Sequence, residues 1–136
     1  MTKRERQIVY DKCGGKCAYC GCELNNKFQI DHVISQRAFA THILNKWKIP
    51  EFLTHLGIND MNHIDNLLPA CGSCNNYKGA FDLELFRSEI GQLVGRMNKR
   101  FTQYKISKRF GLIQETKKPV TFYFEYLQAT TGNKQI

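Results

Sequence analysis

The chain carries two Cys-x-x-Cys pairs far apart, Cys17 with Cys20 and Cys71 with Cys74. Together they supply four thiolates, the complement of a closed tetrahedral Zn2+ site that keeps no open coordination position. Beside the first pair stands Asp31-His32. Beside the second stand Asn66, five residues before Cys71, and Asn75, directly after Cys74, with Lys78 a turn further on. An all-thiolate zinc needs none of these oxygen, amide and imidazole groups. One structural zinc that pins the two segments together therefore lets Asp31, His32, Asn66 and Asn75 converge on a second site.

An Asp-His dipeptide alone carries no information, and a single Cys-x-x-Cys carries little. Both pairs, the dipeptide and the Asn in this order resemble the HNH endonuclease family, and within it the zinc-knuckle branch of the ββα-metal nucleases. The resemblance covers residues 13 to 81. Two departures accompany it. The third family position is Asn75 rather than His, a variation that members show, and the segment between His32 and Asn66 is long for a minimal member, which points to a small insertion riding on the site.

The resemblance implies metal-dependent hydrolysis of DNA phosphodiester bonds. Such a reaction needs an attacking water, a base for its proton and a cation at the developing charge. His32 is the expected base, since an unperturbed imidazole titrates at about 6.5. Asp31 and Asn75 are the expected oxygen ligands of a hard catalytic Mg2+ or Mn2+. By the resemblance, that single ion contacts the scissile phosphate and stabilises the leaving oxygen. Asn66 is expected to orient His32 or to fix its loop, with Asn62 its rival for the role. Lys78 and Arg37 can hold phosphates as point charges. Duplex DNA is the substrate expected first, with RNA kept open. One centre nicks one strand, so a double-strand break requires a homodimer or two visits.

Each of these residues also has a plainer use. His32 can be a satisfied strand histidine, Asp31 a turn carboxylate, Asn66 a turn residue, and Asn75 a helix-start residue. His42, His55 and His63 read as surface groups, and Cys13 and Cys22 flank the first pair as candidate free thiols. The alternative function is accordingly a catalytically inactive, zinc-stabilised nucleic-acid-binding module. It shares the cysteines and the charge, but it leaves the Asp-His-Asn arrangement unexplained. A protein-interaction scaffold built on an aromatic C-terminal strand edge is a further alternative.

The 136 residues read as a single domain, 1–136, with 13–81 as the core and 82–128 as a basic helical extension and terminal strand. The fold class expected is α+β: a small zinc-stapled ββα motif with an N-terminal helix and a C-terminal helical extension. The core stretch is loop-rich, so a staple matters; structural zinc contributes on the order of 10–16 kcal/mol of apparent binding energy. Net charge is +8, which favours a polyanionic partner. The N-terminal residues are charged and hold no apolar leader, and no apolar run reaches membrane-spanning length. The expectation is a cytoplasmic protein with no membrane partner, whose six cysteines serve a metal rather than disulfides.

The elements that must position these groups can be read in order. Thr2 and Glu5 form a capping box for a helix over about 3 to 12, with Ile8 and Val9 buried and Gly14-Gly15 as its stop. Phe28 to Ile34 alternates as a strand, with Asp31 pointing away from the face of Ile30 and His32. Pro50-Glu51 reads as a helix start and Gly57 as its stop. Ile64 to Ala70 reads as a second strand, kept short by Pro69. A short helix then carries Asn75 and Lys78. One long helix, 82 to about 104, presents Arg87, Arg96, Lys99 and Arg100 on its polar face, with Arg96, Lys99 and Arg100 the expected nucleic-acid contacts. A basic helical piece around Ser107–Phe110 follows, stopped by Gly111, and Val120 to Tyr126 reads as a strand. The polar tail from Thr130 is expected to fray.

Overall fold

The structure is a computed structural model describing residues 1–132. It is α+β, and its described residues form two compact units. Met1–Leu83 joins the segment from Thr121 onward in the first, and Glu84–Val120 forms the second.

The first unit is organised on a two-stranded antiparallel sheet. β1 (Gln29–His32) pairs with β2 (Leu67–Ala70), so that His32 stands opposite Leu67 and Gln29 opposite Ala70. Only the last four residues of the expected second strand pair. Ile64–Asn66 forms a 3-10 turn instead, because Asn66 spends its side chain on the loop rather than extending. α3 (Gly72–Lys78) follows β2 directly, with Cys71 as its N-cap.

α1 (Lys3–Asp11) begins with the expected box, in which Thr2 N–H donates to Glu5 Oε2 (2.7 Å) and Glu5 N–H donates to Thr2 Oγ1 (3.1 Å). Val9 is buried but Ile8 is 46% exposed, so one residue of the expected pair faces the core. Val9 meets Phe28 and Leu67, with Tyr10, Leu24, Ile30 and Ile64 packed around them. The Lys12 ammonium donates to the carbonyls of Ile64 and Leu67, and burial pulls its pKa down to about 8.

Between the strands lie α2 (Phe39–Asn45) and a 3-10 turn over Glu51–Leu53. The helix expected from Pro50 to Gly57 is thus a single turn. Pro50 enters it in an extended conformation without a side-chain cap, so nothing propagates it. Leu53 and Leu56 are nevertheless buried.

The expected C-terminal strand is not formed. Phe122 is extended (φ −74°, ψ 148°) as the N-cap of α7 (Tyr123–Thr131). Alternation of Phe122 and Phe124 imitates a strand, yet both rings are buried because they flank a helix start. Phe124 N–H donates to Ala18 O (2.8 Å) and Tyr123 N–H to Tyr19 O (3.0 Å), which docks α7 on the first cysteine loop. Gly21 in that loop has φ +75°, and a Cβ there would lie 3.2 Å from the Tyr123 ring. Thr130 and Thr131, expected to fray, close α7; the rest of the expected tail, 133–136, lies outside the described residues.

In the second unit the expected long helix is divided. α4 (Leu83–Gly91) ends at a glycine, α5 is Leu93–Arg100, and Phe101 is extended (φ −113°, ψ 110°) before α6 (Thr102–Arg109). Gly111 (φ +75°) follows α6, as its stop signal implied. Glu115 gathers Asn98 Nδ2 (3.1 Å), Tyr104 Oη (3.0 Å) and Lys108 Nζ (3.1 Å), closing the unit by polar contacts.

Phe124 stacks against Phe122, meets Phe52 at 5.6 Å and meets Tyr19 edge-on at 6.3 Å. Phe124→Ala is expected to destabilise the first unit by about 3–5 kcal/mol, measured as a lower urea midpoint at unchanged slope. An unchanged midpoint would show that α7 does not hold the cysteine loop.

Candidate functional site

Cysteines from both ends of the core come together. The sulfurs of Cys17, Cys20, Cys22 and Cys71 lie within 4.8 Å of one another, and Cys20 Sγ is 3.8 Å from Cys71 Sγ. A tetrahedral zinc with Zn–S bonds of about 2.3 Å requires sulfurs about 3.8 Å apart, so the donor set fits that ion. Cys74 joins the same cluster, its thiol hydrogen-bonded to Cys17 and close to Cys71 and Cys20. Five sulfurs therefore face four coordination positions.

Backbone amides prepare the cluster for negative charge. Cys74 N–H points at Cys71 Sγ (3.4 Å). The Cys74 thiol, together with amides of Cys71, Cys20 and Tyr19, draws the Cys17 pKa down to about 4. Cys74, holding the shared proton, is pushed up by the same interaction. Cys13 is buried outside the cluster, and burial pushes its thiol up to about 12, the behaviour of a core residue.

Cys22 is the member that motif reading leaves open. Its signal is the spacing Cys17-x-x-Cys20-x-Cys22: the turn at Gly21, closed by Cys17 N–H on Cys22 O (2.8 Å), carries the third thiol back to the cluster.

Asp31 and His32 occupy the last two positions of β1 and leave it on opposite faces. Asp31 is buried on the α3 side. Its Oδ2 accepts from the Tyr19 hydroxyl and lies 3.0 Å from Lys78 Nζ. Burial raises the Asp31 pKa, while the Lys78 ammonium and the Tyr19 hydroxyl oppose that rise. Lys78 is fully buried and donates also to His32 O (3.0 Å). The expectation that Lys78 grips phosphate is therefore corrected: its charge is spent inside the protein.

On the other face, His32 Nε2 lies 2.8 Å from Asn62 Oδ1. Asn66, expected to orient His32 or to fix its loop, is entirely buried; its Oδ1 accepts from Ile34 N–H (2.8 Å), and its Nδ2 donates to Ile34 O (3.1 Å) and Met61 O (2.9 Å). It fixes the loop, and Asn62 touches the imidazole. Asn75 Nδ2 donates to Gln29 Oε1 (2.6 Å). One turn of α3 thus sets Asn75 against Gln29 and Lys78 against Asp31, matching i and i+3 on the helix to i and i+2 on the strand.

Arg37 is exposed. In the second unit Arg96 is bound to Glu89 Oε2 (2.6 Å) and Gln92 Oε1 (3.1 Å), while Lys99 and Arg100 are exposed.

No family model matches the chain, and no solved structure matches it. A curated protein of Bacillus subtilis (strain 168), named "SPbeta prophage-derived putative HNH endonuclease YoqL", is 31% identical to it over 108 residues. The match takes in 79% of this chain but 39% of that protein, so the chain spans about two fifths of its relative's length.

Removing cluster thiols separates the two sulfur sets. Cys74→Ser is expected to lose bound zinc, measured by elemental analysis of the purified protein, because Cys74 meets Cys17, Cys20 and Cys71 together. Cys22→Ser, which removes an exposed thiol, is expected to keep one zinc per chain. The reverse result would place Cys22 in the coordination shell and Cys74 outside it.

Proposed function

We propose that the chain is a metal-dependent HNH endonuclease acting on DNA, stapled by a zinc on Cys17, Cys20, Cys71 and Cys74. The observation that carries the reading is the contact between His32 and Asn62. With Asn62 Oδ1 accepting from Nε2–H (2.8 Å), the Nδ1 lone pair of a neutral imidazole is left to take a proton from water. The similarity to a protein named as an HNH endonuclease supports the same reading, as does a net charge of +8.

Each residue then has a task. His32 serves as general base, with Asn62 setting its tautomer and Asn66 holding the loop that presents both. Asp31 and Asn75 would hold a divalent cation, Mg2+ or Mn2+, which supplies charge stabilisation at the scissile phosphate and leaving oxygen. Both contacts of Asp31 fall on Oδ2, leaving Oδ1 as its ligand atom, and Asn75 donates through Nδ2, leaving its amide oxygen. Lys78 opposes the rise that burial imposes on the Asp31 pKa. Arg37, Lys99 and Arg100 remain the candidates for phosphate contact.

One observation favours a second reading. The Lys78 ammonium sits 3.0 Å from the carboxylate that the cation must use, which suits a zinc-stabilised binding module without catalysis. Supercoiled plasmid incubated with Mg2+, Mn2+ or EDTA, beside His32→Ala, separates the two. The nuclease reading expects metal-dependent nicking that falls by about 10²- to 10⁴-fold in His32→Ala at unchanged zinc content. DNA binding without nicking under every condition would establish the binding module.

Charge reversal at Lys99 and Arg100 tests the basic face. The double change to Glu is expected to weaken DNA binding and to flatten the slope of log affinity against log salt by about 0.9 for each phosphate no longer neutralised. An unchanged slope would place the DNA face elsewhere.

A further inference from the structure

His55, His63 and Asp65 lie apart from the cysteines, and each offers a ligand atom within 4.8 Å of the other two. Asp65 Oδ2 is 2.8 Å from His55 Nε2 and 3.6 Å from His63 Nδ1, and the two imidazole rings meet edge to face at 5.8 Å. All three side chains reach solvent, with 44%, 41% and 26% of their surface exposed respectively, so an ion has an entry path. We propose that these residues form a second metal site, a surface site for a first-row divalent cation such as Zn2+.

The donor chemistry selects the ion class. Two imidazoles with one carboxylate suit Zn2+, Co2+ or Ni2+ rather than Mg2+ or Ca2+, which take oxygen ligands. His63 Nδ1 accepts from Asp65 N–H (3.2 Å) and His55 Nε2 is hydrogen-bonded to Asp65 Oδ2 (2.8 Å), so a bound ion would take over the nitrogen and carboxylate atoms that these hydrogen bonds now join. The groove beside His55 is lined by Glu51 and Glu125 as well, which adds negative field at the point of entry.

The three ligands come from two pieces of one loop. His55 follows the 3-10 turn at Glu51–Leu53, whereas His63 caps and Asp65 lies in the 3-10 turn at Ile64–Asn66. An ion here closes the loop from 55 to 65 in one cross-link, and that loop contains Asn62. Metal binding itself stands without any reading of the activity; its consequence for His32, through Asn62, rests on the nuclease reading.

The test uses the full chain already loaded with one zinc at the thiolates. Titration with further Zn2+ by calorimetry, at neutral pH, is expected to show a second site whose occupancy raises the melting temperature. His55→Ala and Asp65→Asn should each weaken that second event by about tenfold or more, since loss even of an outer-shell partner costs that much, while the first zinc is retained. Equal second-site binding in wild type and both variants overturns the proposal, as does no second event in the wild type. Because the readout is metal affinity and melting temperature, an inactive protein with an intact second site would refute only the nuclease reading.

Discussion

Lys78 is fully withdrawn from solvent, and a buried ammonium costs several kcal/mol unless its charge and its donors are met. Asp31 Oδ2 at 3.0 Å meets the charge and the His32 carbonyl at 3.0 Å takes a further donor. The Tyr19 hydroxyl donates to the same carboxylate oxygen. This one buried pair therefore ties the end of α3 to the end of β1 and to the cysteine loop. Gly79, at φ +50°, lets the chain turn away immediately after Lys78 has pointed inward, a conformation that side chains resist. The positions of Asp31 and His32 relative to the rest of the unit follow from that contact.

The cysteine cluster and the ion pair mark the two ends of α3. Cys71 caps its start and Lys78 stands in its last turn, so the helix is a rigid spacer on the order of 10 Å between them. Tyr19 links them a second time, because it lies between Cys17 and Cys20 in sequence while its hydroxyl reaches Asp31. Its ring is clamped edge-on by Phe122 at 5.3 Å, and its carbonyl accepts from Tyr123 N–H. Whatever orders the thiolates thus also orders the hydroxyl that Asp31 needs. The C-terminal helix joins this arrangement from the far end of the chain, which is why the first unit, rather than the second, claims it.

Local chemistry was legible where the signal was local. Thr2 with Glu5 announced α1, Gly111 announced the end of α6, and the Cys-x-x-Cys pairs announced a cluster, since in each case neighbours in sequence carry the physics. Tertiary partners were not legible. Phe122 and Phe124 have the spacing of a strand face, but Phe122 stands outside the helix and Phe124 inside it, so period two arose from a boundary. Lys78 read as a phosphate ligand because burial of a lysine depends on a carboxylate 47 positions earlier in the chain. Asn62 and Asn66 are one helical turn apart in sequence, and only the 3-10 turn at Ile64–Asn66 decides which faces His32. The role of Cys22 stayed open for a similar reason: the positive φ of Gly21 folds it back.

The charge environment of Asp31 has a consequence for the nuclease reading. Two unit charges 4 Å apart repel by roughly 4 kcal/mol at an effective dielectric of 20, so on that reading a divalent ion held by Asp31 would meet repulsion from the Lys78 ammonium beside the same carboxylate. The carboxylate alone offsets only one positive charge, and Asn75 brings none. A phosphodiester entering beside the cation brings the missing negative charge and, with it, another oxygen ligand. On the nuclease reading, the cation would accordingly be held more tightly in the presence of substrate than in its absence. By reciprocity, the substrate's affinity rises by the same factor when the cation is bound. A site of this kind would use Lys78 twice: its ammonium opposes the rise that burial imposes on the Asp31 pKa, and it would make metal and phosphate depend on one another.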